Sequence, residues 1–133
     1  MARSIRSIEL NLESDDYPKL VALNKNDSNN MLVLTWKGVL VQVPMTNEQA
    51  VPQIVLSDSE LRNHTIMKHT SSYTYFATLT GKIKWLCNRT WKFCQADAIE
   101  GKILALDVID ELDANNILIC GLNGKSLGFF PRP

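Results

Sequence analysis

The stretch Tyr73–Phe93, which reads YTYFATLTGKIKWLCNRTWKF, decides the fold. β-Branched and aromatic residues form three short runs in it, and the Gly and Asn of tight turns lie between the runs. Runs of this length and composition, bounded by turn residues, are typical of β-strands. The stretch therefore predicts three consecutive strands joined by hairpins: Tyr73–Leu79, Lys82–Cys87 and Thr90–Cys94.

The same pattern extends over the rest of the chain. The other predicted strands are Ile5–Leu12, Leu20–Asn24, Met31–Trp36, Val39–Val43, Gln53–Leu56, Thr65–Lys68, Lys102–Val108, Asn116–Cys120 and Ser126–Phe130. About a dozen strands, one roughly every ten residues, indicate an all-β fold. Ser57–Asn63 opens with a capping box and predicts one helical turn. The segment Ile103–Leu112 fits either a strand or a helix, and we favour a strand for its first half.

Three segments repeat one hairpin pattern: Lys19–Val33, Gly81–Phe93 and Asn116–Phe129. Each has an alternating apolar strand, a turn led by Asn and a returning apolar strand. Three hairpins over a short barrel are the arrangement of a β-trefoil, although their uneven spacing requires an insertion around Thr46–Thr70. We predict a single all-β domain over residues 1–133, most simply a β-trefoil, with a β-sandwich or jelly roll as the alternative.

Parts of the chain resemble the amaranthin-like agglutinins. The segment Pro18–Leu23 with its Asn-rich continuation resembles the opening of that domain, and Gly81–Phe93 with Asp97-Ala98 resembles its middle hairpin. Asn123–Gly128 is similar to a turn of many β-trefoils, although Ser126 stands where an aromatic residue is usual. The resemblance implies a β-trefoil lectin that binds carbohydrate, often as a dimer with sugar sites near the subunit contact.

Composition and charge exclude several classes of protein. The 133 residues hold 14 Lys+Arg and 14 Asp+Glu, and 45 % are hydrophobic, as in an ordinary globular domain. Neither a metal-ligand spacing nor a known catalytic motif is present, so we expect no cofactor and no enzyme activity. No long apolar run predicts a secretory signal or a membrane span, and we expect a cytoplasmic or nucleocytoplasmic protein.

The balanced total charge conceals two segments of opposite sign. Residues 67–97 hold five basic residues and one acidic residue, whereas residues 98–113 hold one basic and five acidic residues. Two such patches can pair within one molecule or between molecules. They suggest a homo-oligomer, or they are solvated strand faces.

Aromatic residues alternate with lysines in the basic segment, so most of them are expected to point inward. An indole that remains at the surface beside amide and carboxylate groups would be a platform for a sugar ring. The residues that we predict for such a site are Trp91, Asn88, Gln95, Asp97 and Trp36.

The leading prediction from sequence is therefore a non-catalytic, lectin-like domain that binds a glycan or glycoprotein. The alternative is a protein–protein interaction or viral-type structural module that self-assembles through its opposed charge patches. Single-stranded nucleic acid is a third candidate ligand, because bases stack on aromatic side chains. A net charge of +0 argues against nucleic acid, since neutralisation of phosphates drives such binding.

Overall fold

The structure, a computed structural model, describes residues 7–24, 27–45, 51–70, 72–98, 102–109, 116–122 and 126–131. The predicted Asn123-Gly124 turn, the start of the predicted strand Ile5–Leu12 and the end of the segment Ile103–Leu112 lie outside these ranges. The described part of the chain forms eleven strands and one short 3-10 helix.

The strands form three antiparallel sheets, each built from strands that are consecutive in the chain. The first sheet contains β1 (Pro18–Asn24), β2 (Asp27–Thr35), β3 (Val39–Pro44) and β4 (Gln53–Ser57). The second contains β5 (His64–His69), β6 (Tyr73–Thr78), β7 (Lys82–Cys87) and β8 (Lys92–Ala98). The third contains β9 (Ile103–Val108), β10 (Asn116–Leu122) and β11 (Leu127–Pro131). The 3-10 helix Ser59–Asn63 links the first sheet to the second.

The all-β prediction is confirmed, and the β-trefoil is not. Among the described residues, every ladder joins strands of the same sheet, and no ladder closes the strands into a barrel. Each sheet is a simple meander, in which every strand pairs with the strand before it and the strand after it. Ser59–Asn63 forms the predicted short helical turn, and Ile103–Val108 is a strand, as favoured.

A glycine allows the tight turn between β2 and β3. Gly38 has a φ of 87°, a left-handed conformation that costs a glycine little and other residues more. Its carbonyl accepts the Asp58 N–H at 3.0 Å, and a Cβ at this position would overlap the Asp58 carbonyl oxygen. The turn is therefore held against the chain segment that leaves the first sheet.

The three sheets stack in chain order, with an apolar layer between each pair. The layer between the first and second sheets contains Ala22, Leu32, Leu34, Leu40, Leu61, Met67, Phe76 and Leu86. The layer between the second and third sheets contains Tyr75, Ala77, Ile83, Trp85, Ile103 and Leu106. Burial of the aromatic side chains Tyr75, Phe76 and Trp85 confirms that most aromatics of this segment point inward. The middle sheet thus has both faces covered.

Neighbouring sheets meet at their first strands. The strand β5 packs against β1 on one side and against β9 on the other. The first strand of each meander therefore lies at the contact between sheets.

Two cysteines of the second sheet are free thiols: Cys87 is half-buried and Cys94 is exposed. Hydrogen bonding with the Thr90 side chain lowers the pKa of Cys87, whereas burial of the sulfur raises the pKa of Cys94. The side chain of Cys120 lies outside the described part.

Candidate functional site

The structure does not bring the five predicted sugar-site residues together. Asn88 and Trp91 lie in the turn between β7 and β8, beside the turn between β5 and β6. Trp36 lies in the turn between β2 and β3, at the opposite end of the stack, beside the 3-10 helix. Gln95 and Asp97 lie in β8, and the structure does not describe their side chains.

The Asn88 side chain is engaged within the fold. Its Nδ2 donates to the Thr70 carbonyl at 2.6 Å, and its Oδ1 accepts the Thr74 hydroxyl at 2.6 Å. Its backbone N–H donates to the Ser72 carbonyl at 3.0 Å. Asn88 therefore joins two hairpin turns of the second sheet, and a sugar would compete with these bonds.

Trp91 is half-buried and packs against the layer between the first two sheets. Its φ of 55° is left-handed, which is unusual for a bulky residue, and its N–H donates to the Cys87 carbonyl at 2.9 Å. Because its side chain packs against this layer, Trp91 offers less free surface than the prediction required.

Trp36 is different, because 57 % of its surface is exposed. Its N–H donates to the Tyr17 carbonyl at 3.0 Å, and 60 % of Tyr17 is exposed as well. The two aromatic residues thus lie on adjacent chain segments at one end of the first sheet. We call the surface formed by Tyr17, Lys19, Trp36 and Arg62 the Trp36 patch.

A buried carboxylate fixes the backbone beneath the Trp36 patch. Asp16 is 6 % exposed, and its Oδ1 accepts the N–H groups of Tyr17 at 2.9 Å and of Lys37 at 3.0 Å. The Lys37 ammonium lies 2.6 Å from Asp15 and 2.8 Å from Glu13. Hydrogen bonds to Asp15 and then Glu13 raise the pKa of Lys37 to about 12. The charge of Lys37 is thus balanced within the chain.

Two cations border the aromatic residues. The Lys19 Nζ lies 4.8 Å from the centroid of the Trp36 ring and donates to the Arg62 carbonyl at 2.9 Å. Burial lowers the pKa of Lys19. Arg62 is exposed, and its Nε donates to the Lys37 carbonyl at 3.2 Å. The patch therefore combines two exposed rings with positive charge on a fixed backbone.

The link between the first two sheets holds a cluster of opposite charges. The Lys84 Nζ, on a side chain that is largely buried, lies 2.9 Å from Glu60 and 3.2 Å from Asp58. Burial alone would lower the pKa of Lys84, but hydrogen bonds to Glu60 and Asp58 raise it above its ordinary value. Lys82 is 3.6 Å from Glu60. Two cations of the basic segment thus pair with acidic groups of the link between the first two sheets.

The sequence interpretation included Trp36 but missed Tyr17, Lys19, Asp16 and Arg62. The signal for the turn was the pair Lys37-Gly38. Nothing in the sequence showed that a loop before β1 and a helix after β4 would meet at this turn.

Other kinds of site have no support in the described ranges. No group of three or more His, Cys, Asp or Glu residues there is arranged to hold a metal ion. None of the described helical segments has the length and apolar character needed to span a bilayer. No known protein family matches the chain, and no curated protein shows significant sequence similarity to it.

Proposed function

We propose that this protein is a non-catalytic protein-binding module that uses the Trp36 patch. The observation that carries the proposal is the pair of exposed aromatic residues, Tyr17 and Trp36, which are joined by a backbone hydrogen bond on a backbone held by Asp16. Tyr, Trp and Arg are the residue types that dominate binding energy at protein interfaces. A rigid surface also loses little conformational entropy on binding.

The ligand that this surface fits is a protein segment with an apolar side chain next to a carboxylate. The apolar group would cover the exposed rings, and the carboxylate would interact with Arg62 and Lys19. Lys37 adds no positive charge to the surface, because Glu13 and Asp15 place two negative charges against its one.

The test is selection of peptides from a displayed library on the intact chain, followed by calorimetry with the enriched peptides. We expect Trp36→Ala and Tyr17→Ala each to weaken binding at least about tenfold, as is usual for central aromatic contacts. Leu104→Ala is the control, because Leu104 is equally exposed on β9. Peptides that bind Trp36→Ala as tightly as the unaltered chain would contradict the proposal.

Carbohydrate binding is the second candidate, and the exposed indole of Trp36 is the observation that favours it. Sugar C–H groups pack on such a ring. On a glycan array, a lectin that uses this residue loses its signal in Trp36→Ala and keeps it in Trp91→Ala. Loss of signal in Trp91→Ala alone would instead support the site predicted from sequence around Asn88.

The β-trefoil remains a prediction. The described meanders support another architecture, in which each meander is a propeller-like blade. The first strands of the meanders begin at Pro18, His64 and Ile103. A four-stranded antiparallel unit recurring about every 40 to 45 residues is typical of propeller blades. Because the same fold serves many functions, the proposed activity rests on the Trp36 patch and not on the architecture.

A further inference from the structure

The two outer sheets of the stack each have one face that no other sheet covers. The first sheet turns Leu32, Leu34 and Leu40 toward the second sheet, and the third sheet turns Ile103 and Leu106 toward it. In a stack of repeats, a terminal unit normally needs a cap or a further neighbour on its free side. The residues on the two free faces therefore indicate what kind of surface would cover them.

The free face of the first sheet is apolar across all four strands. The registers place Val21 opposite Val33, Val33 opposite Val41, and Val41 opposite Ile54. Val33 and Val41 are buried, whereas Val21 and Ile54 are each 59 % exposed. A further row on this face contains Leu23, Met31 and Val43. We call this surface the open face of the first sheet.

Residues 7–13 cover only the middle of that open face. Ile8, Leu10 and Leu12 are half-buried against Val33, Val41 and Val43, while the residues between them are exposed. This period of two is typical of a β-strand, yet the described residues 7–13 belong to no ladder. An open cleft of about 300 Å³ lies along them. Asn11 has a left-handed φ of 55°, as the first residue of some β-bulges has.

The third sheet also has exposed apolar residues, Leu127 and Phe129, in its edge strand β11. The registers pair Leu127 with Gly121 and Phe129 with Ile119 in β10, and pair those two residues with Ala105 and Asp107 in β9. Leu127 is 64 % exposed and Phe129 is 55 % exposed. The third sheet has three described strands where the others have four, and β11 is its edge.

We propose that a second copy of this chain completes the stack, its third sheet docking on the open face of the first sheet and taking residues 7–10 as a fourth strand beside β11. This contact continues the series of interfaces that the chain forms twice within itself, in which each sheet packs on the next. It would again bring first strand to first strand. Ile8 and Leu10, which would belong to the added strand, already pack against the open face.

The contact is head-to-tail, because it joins two different faces. Such a contact generates a closed ring or an open chain of copies, depending on the rotation between them. It does not involve the Trp36 patch, so peptide binding at Trp36 and self-association can fail independently.

Sedimentation velocity on the intact chain tests the association. We expect masses above the 15.0 kDa of one copy that rise with concentration. Val21→Lys and Phe129→Lys should each weaken self-association at least about tenfold, since each places a charge in an apolar contact. Both sites are exposed, so the fold is retained. Leu79→Lys is the control, at an exposed residue of the turn between β6 and β7 in the middle sheet, and should associate as the unaltered chain does.

Mixing the two variants is the decisive measurement. Each variant keeps one intact face, so an equimolar mixture of Val21→Lys and Phe129→Lys should form a one-to-one pair and nothing larger. An unaltered chain that stays monomeric, or a mixture that fails to pair, overturns the proposal.

Hydrogen exchange tests the added strand separately. The amides of residues 8–10 should become protected in the assembly and exchange freely in the Phe129→Lys monomer. Association without this protection overturns the strand addition. Association that weakens strongly with added salt would favour the charge-patch mechanism instead and overturn the apolar contact.

Discussion

Gly38 shows how one residue positions a surface. Its left-handed φ turns the chain between β2 and β3, and its missing side chain lets the Asp58 carbonyl approach. The same turn contains Trp36, whose exposed ring is the main aromatic contact of the Trp36 patch. The geometry of the patch therefore depends on a position that makes no contact with a ligand.

Gly38→Ala is expected to lower the free energy of unfolding by about 2 to 4 kcal/mol, because it adds both backbone strain and a clash with Asp58. Urea denaturation measures the change. Gly81→Ala is the control, since Gly81 has nearly the same φ of 88°. An equal loss in both variants would show that φ alone, and not the Asp58 contact, accounts for the cost.

The individual strands were predictable because each obeys a local rule. Val39–Val43 and Lys82–Cys87 alternate and end at turn residues, and the structure forms β3 and β7 there. The prediction Thr90–Cys94 began too early, since residues 88–91 form the turn and β8 begins at Lys92.

The stacking of the sheets was not predictable, since it depends on contacts between distant segments. Hairpins of the same kind occur in trefoils, sandwiches and stacked meanders, so their pattern alone did not select an architecture. The role of Asn88 was also hidden, because the sequence does not show that the two turns beside it meet.

Asn88→Ala is expected to reduce the free energy of unfolding by about 1 to 3 kcal/mol, because the Thr70 carbonyl loses its donor and the Thr74 hydroxyl loses one of its two partners. Asn88→Asp retains an acceptor for Thr74 but sets a carboxylate oxygen against the Thr70 carbonyl oxygen, so its loss should be at least as large. Chemical denaturation compares the two. If Asn88→Ala is as stable as the unaltered chain, these hydrogen bonds contribute little, and Asn88 is again a candidate for ligand binding.

In the whole molecule, the ion cluster around Lys84 joins the first two sheets. Lys84 belongs to β7, and its partners Asp58 and Glu60 belong to the link after β4. The Lys84 ammonium also lies 4.7 Å from the centroid of the Phe93 ring. The relative position of the two sheets is thus coupled to the charge of a few groups.

Stability should therefore depend on acidity. Hydrogen bonding to Lys84 is the main cause that lowers the pKa of Glu60. Such a carboxylate stabilises the fold above its unfolded pKa and loses that contribution as the pH falls through the lowered folded value. We expect the free energy of unfolding to decrease from about pH 4 downward.

Lys84→Met should make this decrease shallower, because Glu60 then loses the main partner that lowers its pKa and keeps only the weaker interaction with Lys82. Urea unfolding at a series of pH values provides the comparison, and Lys68→Met, at an exposed lysine of β5, is the control. Equal pH dependence in all three proteins would assign the acid sensitivity to other carboxylates. The pKa of Lys84 is raised instead of lowered. The stabilisation that its ammonium provides is therefore lost only as the pH rises above the ordinary lysine range.

Each described ladder lies within one meander, and this has a consequence for how the chain can evolve. Gene duplication or deletion that adds or removes one whole meander leaves every remaining backbone pairing intact, and only the side chains at the new junction must adapt. A chain built in this way can change length by entire units during evolution, with selection acting mainly on the surfaces where the units touch.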